Sequence, residues 1–194
     1  MNLANLLTLS RIPLMFIIVA LLYVDWLGAA TVAFVLFVVA GVTDWLDGLV
    51  ARRQGLVSTF GILMDALTDK VLMLGLMIAL VDLDKVSIFL VLLILGREFM
   101  ITGMRLVAAT KGVVVSAERA GKQKTVTQIL SIGAFLLAGM VRVDLASWFS
   151  VDLSVMAQYL DWLGLVLFLL ATVFTLTSGY RYFRKYGAMV FAED

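Results

Sequence analysis

Three charge-free stretches constrain this chain more than any other feature. Residues 26–43, 125–141 and 162–180 run for 18, 17 and 19 residues without Asp, Glu, Lys or Arg. A helix that crosses a bilayer needs about 20 mostly apolar residues, within a range of about 17–25. Residues 12–24 add a run of 13, which becomes a full span if its helix begins near Asn5. Residues 71–81 and 86–96 are 11 each. They span only if their helices take in charged neighbours, Asp65, Asp69 and Lys70 in one case and Arg97, Glu98 and Arg105 in the other. The pattern predicts an all-α integral membrane protein. Its six transmembrane helices are expected near 4–24, 28–53, 60–82, 86–109, 117–141 and 157–184.

Composition agrees. Hydrophobic residues make up 63% and charged residues 15%, against roughly 45–50% and about 25% in a soluble domain. A disordered chain and a water-soluble enzyme are excluded. The chain has no cysteine and no histidine, so disulfides, thiolate or imidazole metal ligands and Ser-His-Asp catalysis are excluded too. Acid–base or metal chemistry falls to carboxylates, lysines and tyrosines. No repeat or linker divides the chain, and residues 1–194 are expected to form one transmembrane domain. No basic residue precedes Arg11 and no small-residue cleavage site follows the first apolar run. The N-terminus is therefore expected to be retained rather than cleaved as a signal peptide.

Six spans put both termini on one face. All of the 15 Lys and Arg residues except Lys85 and Arg142 fall nearer that face, which is thereby expected to be cytosolic. The longest connection, residues 142–156, is amphipathic and expected at the outer interface, with Trp148 among the headgroups. Tyr180, Arg181, Tyr182, Phe183 and Arg184 are expected to anchor the last helix at the cytosolic interface. Gly133, Ala134, Ala138 and Gly139 read as helix-packing positions.

The chemistry concentrates between residues 44 and 70. Asp44 and Asp47 are spaced i, i+3 at the end of the second helix, and Asp65 and Asp69 i, i+4 at the start of the third. At roughly 100° per residue, Asp44, Asp47, Gly48, Ala51 and Arg52 share an arc of about 140°, and Gly61, Asp65 and Asp69 one of about 80°. A short turn joins the helices, so the two faces are able to converge. An aspartate at the centre of a span costs about 2.5–3.5 kcal/mol. Four of them, even at half that, weigh heavily against a stability of about 5–15 kcal/mol. Something must neutralise them. Arg52, Arg53 and Lys70 could do so as a structural ion network. Hard divalent cations with oxygen ligands do it better, and four carboxylates suit a pair of Mg²⁺ or Mn²⁺ ions. Two metals about 4 Å apart form a clamp for phosphoryl transfer.

The pattern Asp44-x2-Asp47-Gly48-x2-Ala51-Arg52-x8-Gly61-x3-Asp65-x3-Asp69 resembles, position for position, the signature of the CDP-alcohol phosphatidyltransferase family. The resemblance implies six transmembrane helices, a homodimer and an active site open to the cytosol. It implies a reaction in which an alcohol displaces CMP from a CDP-linked lipid, here CDP-diacylglycerol. It further implies that Asp44, Asp47, Asp65 and Asp69 hold two divalent cations on the pyrophosphate. Asp69 would also be the base that takes the proton of the attacking hydroxyl. Gly48, Ala51, Arg52 and Gly61 would line the cytidine–phosphate pocket.

The acceptor is read from the remaining polar residues. Asn5, Thr8 and Arg11 recur at i, i+3 and i+6 on the first helix. They read either as a cap with an interface anchor or as part of the CDP pocket, to which Asn5 and Thr8 are assigned. Glu98 and Arg105 are seven residues apart, nearly on one face, and could simply pair. Arginines inside a span are nevertheless functional candidates, and arginine grips phosphate bidentately. Lys122 and Lys124 are about 200° apart on a helix, so one of them at most is expected to face the site. Arg97, Arg105, Lys122 and Lys124 are thus candidates for binding an acceptor phosphate. Surplus cations imply an anionic acceptor, and sn-glycerol 3-phosphate fits. The stretches 97–105 and 121–125, with Asn5, Thr8 and Arg11, resemble the family branch that uses it. That branch often has proline after the third aspartate, where this chain has Ala66; the carboxylates are intact. Inositol phosphate or serine as acceptor, and a divalent-cation transporter, are the alternatives.

Overall fold

The computed structural model of the chain describes the backbone of residues 3–54, 59–110 and 119–191, and the side chains of 10–43, 68, 70–108 and 123–187. Six long helices form: α1 Leu3–Leu21, α2 Ala29–Gln54, α3 Thr59–Asp82, α4 Ile88–Thr110, α5 Arg119–Met140 and α7 Ser154–Phe191. A π-helical turn, Val141–Leu145, and a short α6, Ala146–Phe149, extend α5. Among the described residues there is no strand. The expected helices are all present, shifted by a few residues at their ends.

The core joins all six long helices. Met15 and Ile18 of α1, Phe37 of α2, Leu72 and Leu76 of α3, Ile94 of α4, Ile132 and Phe135 of α5 and Phe168 of α7 are buried in one cluster. α5 and α7 share the most extensive seam, and α1 packs against both α3 and α2. The outer surface is apolar as well. Phe16, Val35, Leu92, Leu130 and Leu163 all point outward, between 49% and 63% exposed. A helix that is apolar on every side needs an apolar surround. Gln123–Phe149 and Ser154–Gly187 are long and apolar enough to cross a membrane. At about 1.5 Å per residue, the 38 residues of α7 reach roughly 57 Å, well past a hydrocarbon core of about 30 Å.

Residues 142–156 depart from expectation. Instead of one loop, the chain stays helical to Phe149 and turns at Ser150, which is left-handed (φ 51°). The π-helical turn places Asp144 inside, fully buried. Its carboxylate accepts the N–H of Gly28 at 2.8 Å and both the N–H and hydroxyl of Thr31 at 2.6 Å. These donors lie at the start of α2, so Asp144 caps that helix from across the bundle, where a negative charge is favoured. Gly28 has φ +106°, a backbone conformation that other residues rarely adopt.

This end of the bundle, far from the termini, is closed by further pairs. Asp161 receives Lys85 at 3.0 Å and also Arg142. The Tyr23 hydroxyl donates to Asp82 at 2.8 Å. That hydrogen bond, followed by desolvation, pushes the Tyr23 hydroxyl above its usual pKa. Asp152 lies below the usual carboxylate range because the Ser154 side chain, then its backbone N–H, donates to it.

Candidate active site

The signature residues occupy the opposite end, where the termini lie. Asp44, Asp47, Gly48, Ala51 and Arg52 sit in the last three turns of α2, and Gly61, Asp65 and Asp69 in the first three of α3. The backbone is helical throughout both segments. The i, i+3 and i, i+4 spacings therefore do place each set on one side of its helix. Their side chains lie outside the described residues, as do those of Asn5, Thr8 and Lys122. Among the described residues there is no cluster of acidic side chains suited to a metal. The donor set itself, four carboxylates within two helix ends, fits hard divalent cations.

Beside this segment the described side chains form a polar network through four helices. Lys70, next to Asp69 on α3, donates to the Thr102 hydroxyl of α4. Thr102 in turn donates to the backbone carbonyl of Glu98 at 2.7 Å. The Glu98 carboxylate is shared by Arg97 Nη1 at 2.9 Å and by Lys124 of α5. Arg97 Nη2 reaches on to the Ser178 hydroxyl of α7 at 2.8 Å. One turn nearer the terminus, the Arg105 guanidinium lies over the Tyr182 ring, 5.6 Å from its centroid. Such a stack favours a cation at the ring face.

Three sequence expectations are thereby settled or corrected. Lys124 faces inward, 6% exposed. Glu98 pairs with Arg97 and Lys124 rather than with Arg105. Tyr182 is no interface anchor: it is 3% exposed, whereas its neighbours Tyr180 and Phe183 are 68% and 45% exposed. Arg11 is buried.

Ser178, Gly179 and Tyr182 are the residues that sequence reasoning missed. A Cβ on Gly179 would come within 2.8 Å of Arg97 Cγ, so glycine is what lets that side chain pass α7. Their spacing of one helical turn was visible, but nothing in it named α4 as the neighbour. Gln128 is also buried, its amide 3.9 Å from Met77 Sδ. A cavity of about 420 Å³ lies at the far end, among Leu21, Leu80, Phe135 and Arg142. It is remote from the signature and has no part in this site.

Helical fold and aspartate signature together point to a membrane-bound phosphotransferase. The chain belongs to the CDP-alcohol phosphatidyltransferase family, whose sequence model matches residues 1–177. That family works with divalent cations. The chain is 38% identical to the CDP-diacylglycerol–glycerol-3-phosphate 3-phosphatidyltransferase of Bacillus subtilis (strain 168), over 95% of this chain and 94% of the relative. It is 34% identical to the protein of the same name from Rickettsia typhi, over 94% of this chain and 96% of the relative. It is also 37% identical to a probable phosphatidylglycerophosphate synthase of Mycobacterium tuberculosis (strain H37Rv), over 70% of this chain and 66% of that one.

Proposed function

We propose that this enzyme is a phosphatidylglycerophosphate synthase, which transfers the phosphatidyl group of CDP-diacylglycerol to sn-glycerol 3-phosphate and releases CMP. The product would feed phosphatidylglycerol and cardiolipin synthesis. The observation that carries this reading is the full aspartate signature at the end of α2 and the start of α3, in a chain whose near-full-length relatives bear that activity in their names.

Asp44, Asp47, Asp65 and Asp69 would hold two Mg²⁺ or Mn²⁺ ions. When bound, these cations neutralise the pyrophosphate and make CMP a better leaving group. The acceptor's hydroxyl oxygen forms a bond to the phosphorus that carries diacylglycerol. The bond from that phosphorus to the oxygen bridging to CMP breaks, and CMP leaves with the electron pair. Asp69 takes the hydroxyl proton, since a neutral alcohol is a weak nucleophile. Asn5, Thr8, Gly48, Ala51, Arg52 and Gly61 would contact the CDP moiety. Arg97, Arg105 and one of Lys124 and Lys122 would meet the acceptor phosphate.

The Arg97–Glu98–Lys124 cluster supports an anionic acceptor. Two cations share one carboxylate, which leaves a positive surplus that a phosphate monoester would balance and that serine would not. The single domain is expected to cross the cell membrane six times, with both termini and the site facing the cytosol, and to work as a homodimer. The test is CMP release from CDP-diacylglycerol by the purified protein across a panel of acceptors. Glycerol 3-phosphate should support turnover, with serine and inositol phosphate inactive. Turnover with either of those and none with glycerol 3-phosphate would overturn the choice of acceptor.

A further inference from the structure

Two buried polar groups on the α4–α7 seam stand out. Arg97 Nε and the Tyr182 hydroxyl both lie inside, without a hydrogen-bond partner among the described residues. Native proteins fill nearly all such groups, so each exception calls for an explanation. These two are neighbours along one seam. Arg97 Nε lies 3.3 Å from where a Gly179 Cβ would be, and Tyr182 follows Gly179 by three residues on the same face of α7. Tyr182 also carries Arg105 on its ring. Ser178, Gly179 and Tyr182 thus touch both arginines of α4 with successive turns. All three lie beyond residue 177, where the match to the family model ends. The aspartate signature sets the chemistry that family members share. What separates one acceptor from another must come from elsewhere in the chain.

We propose that Tyr182 is an acceptor-positioning residue: its hydroxyl and Arg97 Nε donate to oxygens of the phosphorylated alcohol, while its ring seats Arg105 against the same ligand. A phosphate monoester dianion offers only acceptors, which suits two groups that are both free to donate. The proposal rests on the reading above, that the acceptor is a phosphorylated alcohol.

The test is Tyr182→Phe in the full-length protein, with steady-state kinetics for both substrates and a thermal melt. This change removes the hydroxyl and keeps the ring. The KM for glycerol 3-phosphate should rise about tenfold, with kcat and the KM for CDP-diacylglycerol within about twofold of wild type. The melting temperature should stay level or rise, because an unpaired buried hydroxyl has gone. Tyr182→Leu, which also unseats Arg105, should raise the acceptor KM further. An unchanged acceptor KM in Tyr182→Phe would overturn the proposal. So would a shift confined to CDP-diacylglycerol, which would put the hydroxyl on the lipid donor's phosphates. A wild-type protein that releases no CMP with glycerol 3-phosphate would overturn the proposed function instead.

Discussion

The two ends of the bundle treat charge in opposite ways. At the far end three carboxylates have structural tasks. Asp144 caps α2 with three hydrogen bonds, Asp161 binds Lys85 and Arg142, and Asp82 takes the Tyr23 hydroxyl. At the end with the termini, charge runs inward along the helices. Glu98 serves two cations, and Arg97 Nε and the Tyr182 hydroxyl have no hydrogen-bond partner among the described residues. Buried polar groups that are paired act as structure. Those left over are available to a ligand. Under the proposed function, catalysis falls at one end and structural charge pairing at the other.

The largest effect that separates the ends is expected from Asp69→Asn. Loss of a general base and a metal ligand should lower kcat by about 10²–10⁴, with little change in the melting temperature. Retained turnover would remove Asp69 from the base role. Asp144→Ala should do the reverse. It leaves the Gly28 and Thr31 donors unpaired in a buried place and should cost about 3 kcal/mol of stability, while kcat per folded molecule stays near wild type. An Asp144→Ala protein that melts like wild type but has lost activity would break the division between the ends.

The sequence made one end far more legible than the other. Six helices could be read because charge-free runs have few alternatives in a bilayer. The aspartate arcs could be read because helical spacing fixes which residues share a side. The inward turn of Asp144 could not, because it depends on a π-helical turn between α5 and α6, and nothing in Arg142-Val-Asp144 announces one. The partners of Glu98 were equally hidden. Its spacing to Arg105 suited a pair on one helix, but Lys124 on α5 and Ser178 on α7 drew the network across the bundle. The 200° between Lys122 and Lys124 showed that one lysine would turn inward. Only packing against α4 shows that Lys124 turns inward. Tyr182 looked like an anchor because aromatic and basic residues surround it; contacts with Ile101 and Met104 of α4 bury it instead.

Manganese binding tests the central claim most directly. Electron paramagnetic resonance of the wild-type protein, titrated with Mn²⁺ in the presence of CDP-diacylglycerol, should show about two bound ions per chain, and Asp44→Asn, Asp47→Asn or Asp65→Asn should each lose at least one. Full occupancy in all three variants, or no bound manganese in a wild-type protein that turns over, would contradict it.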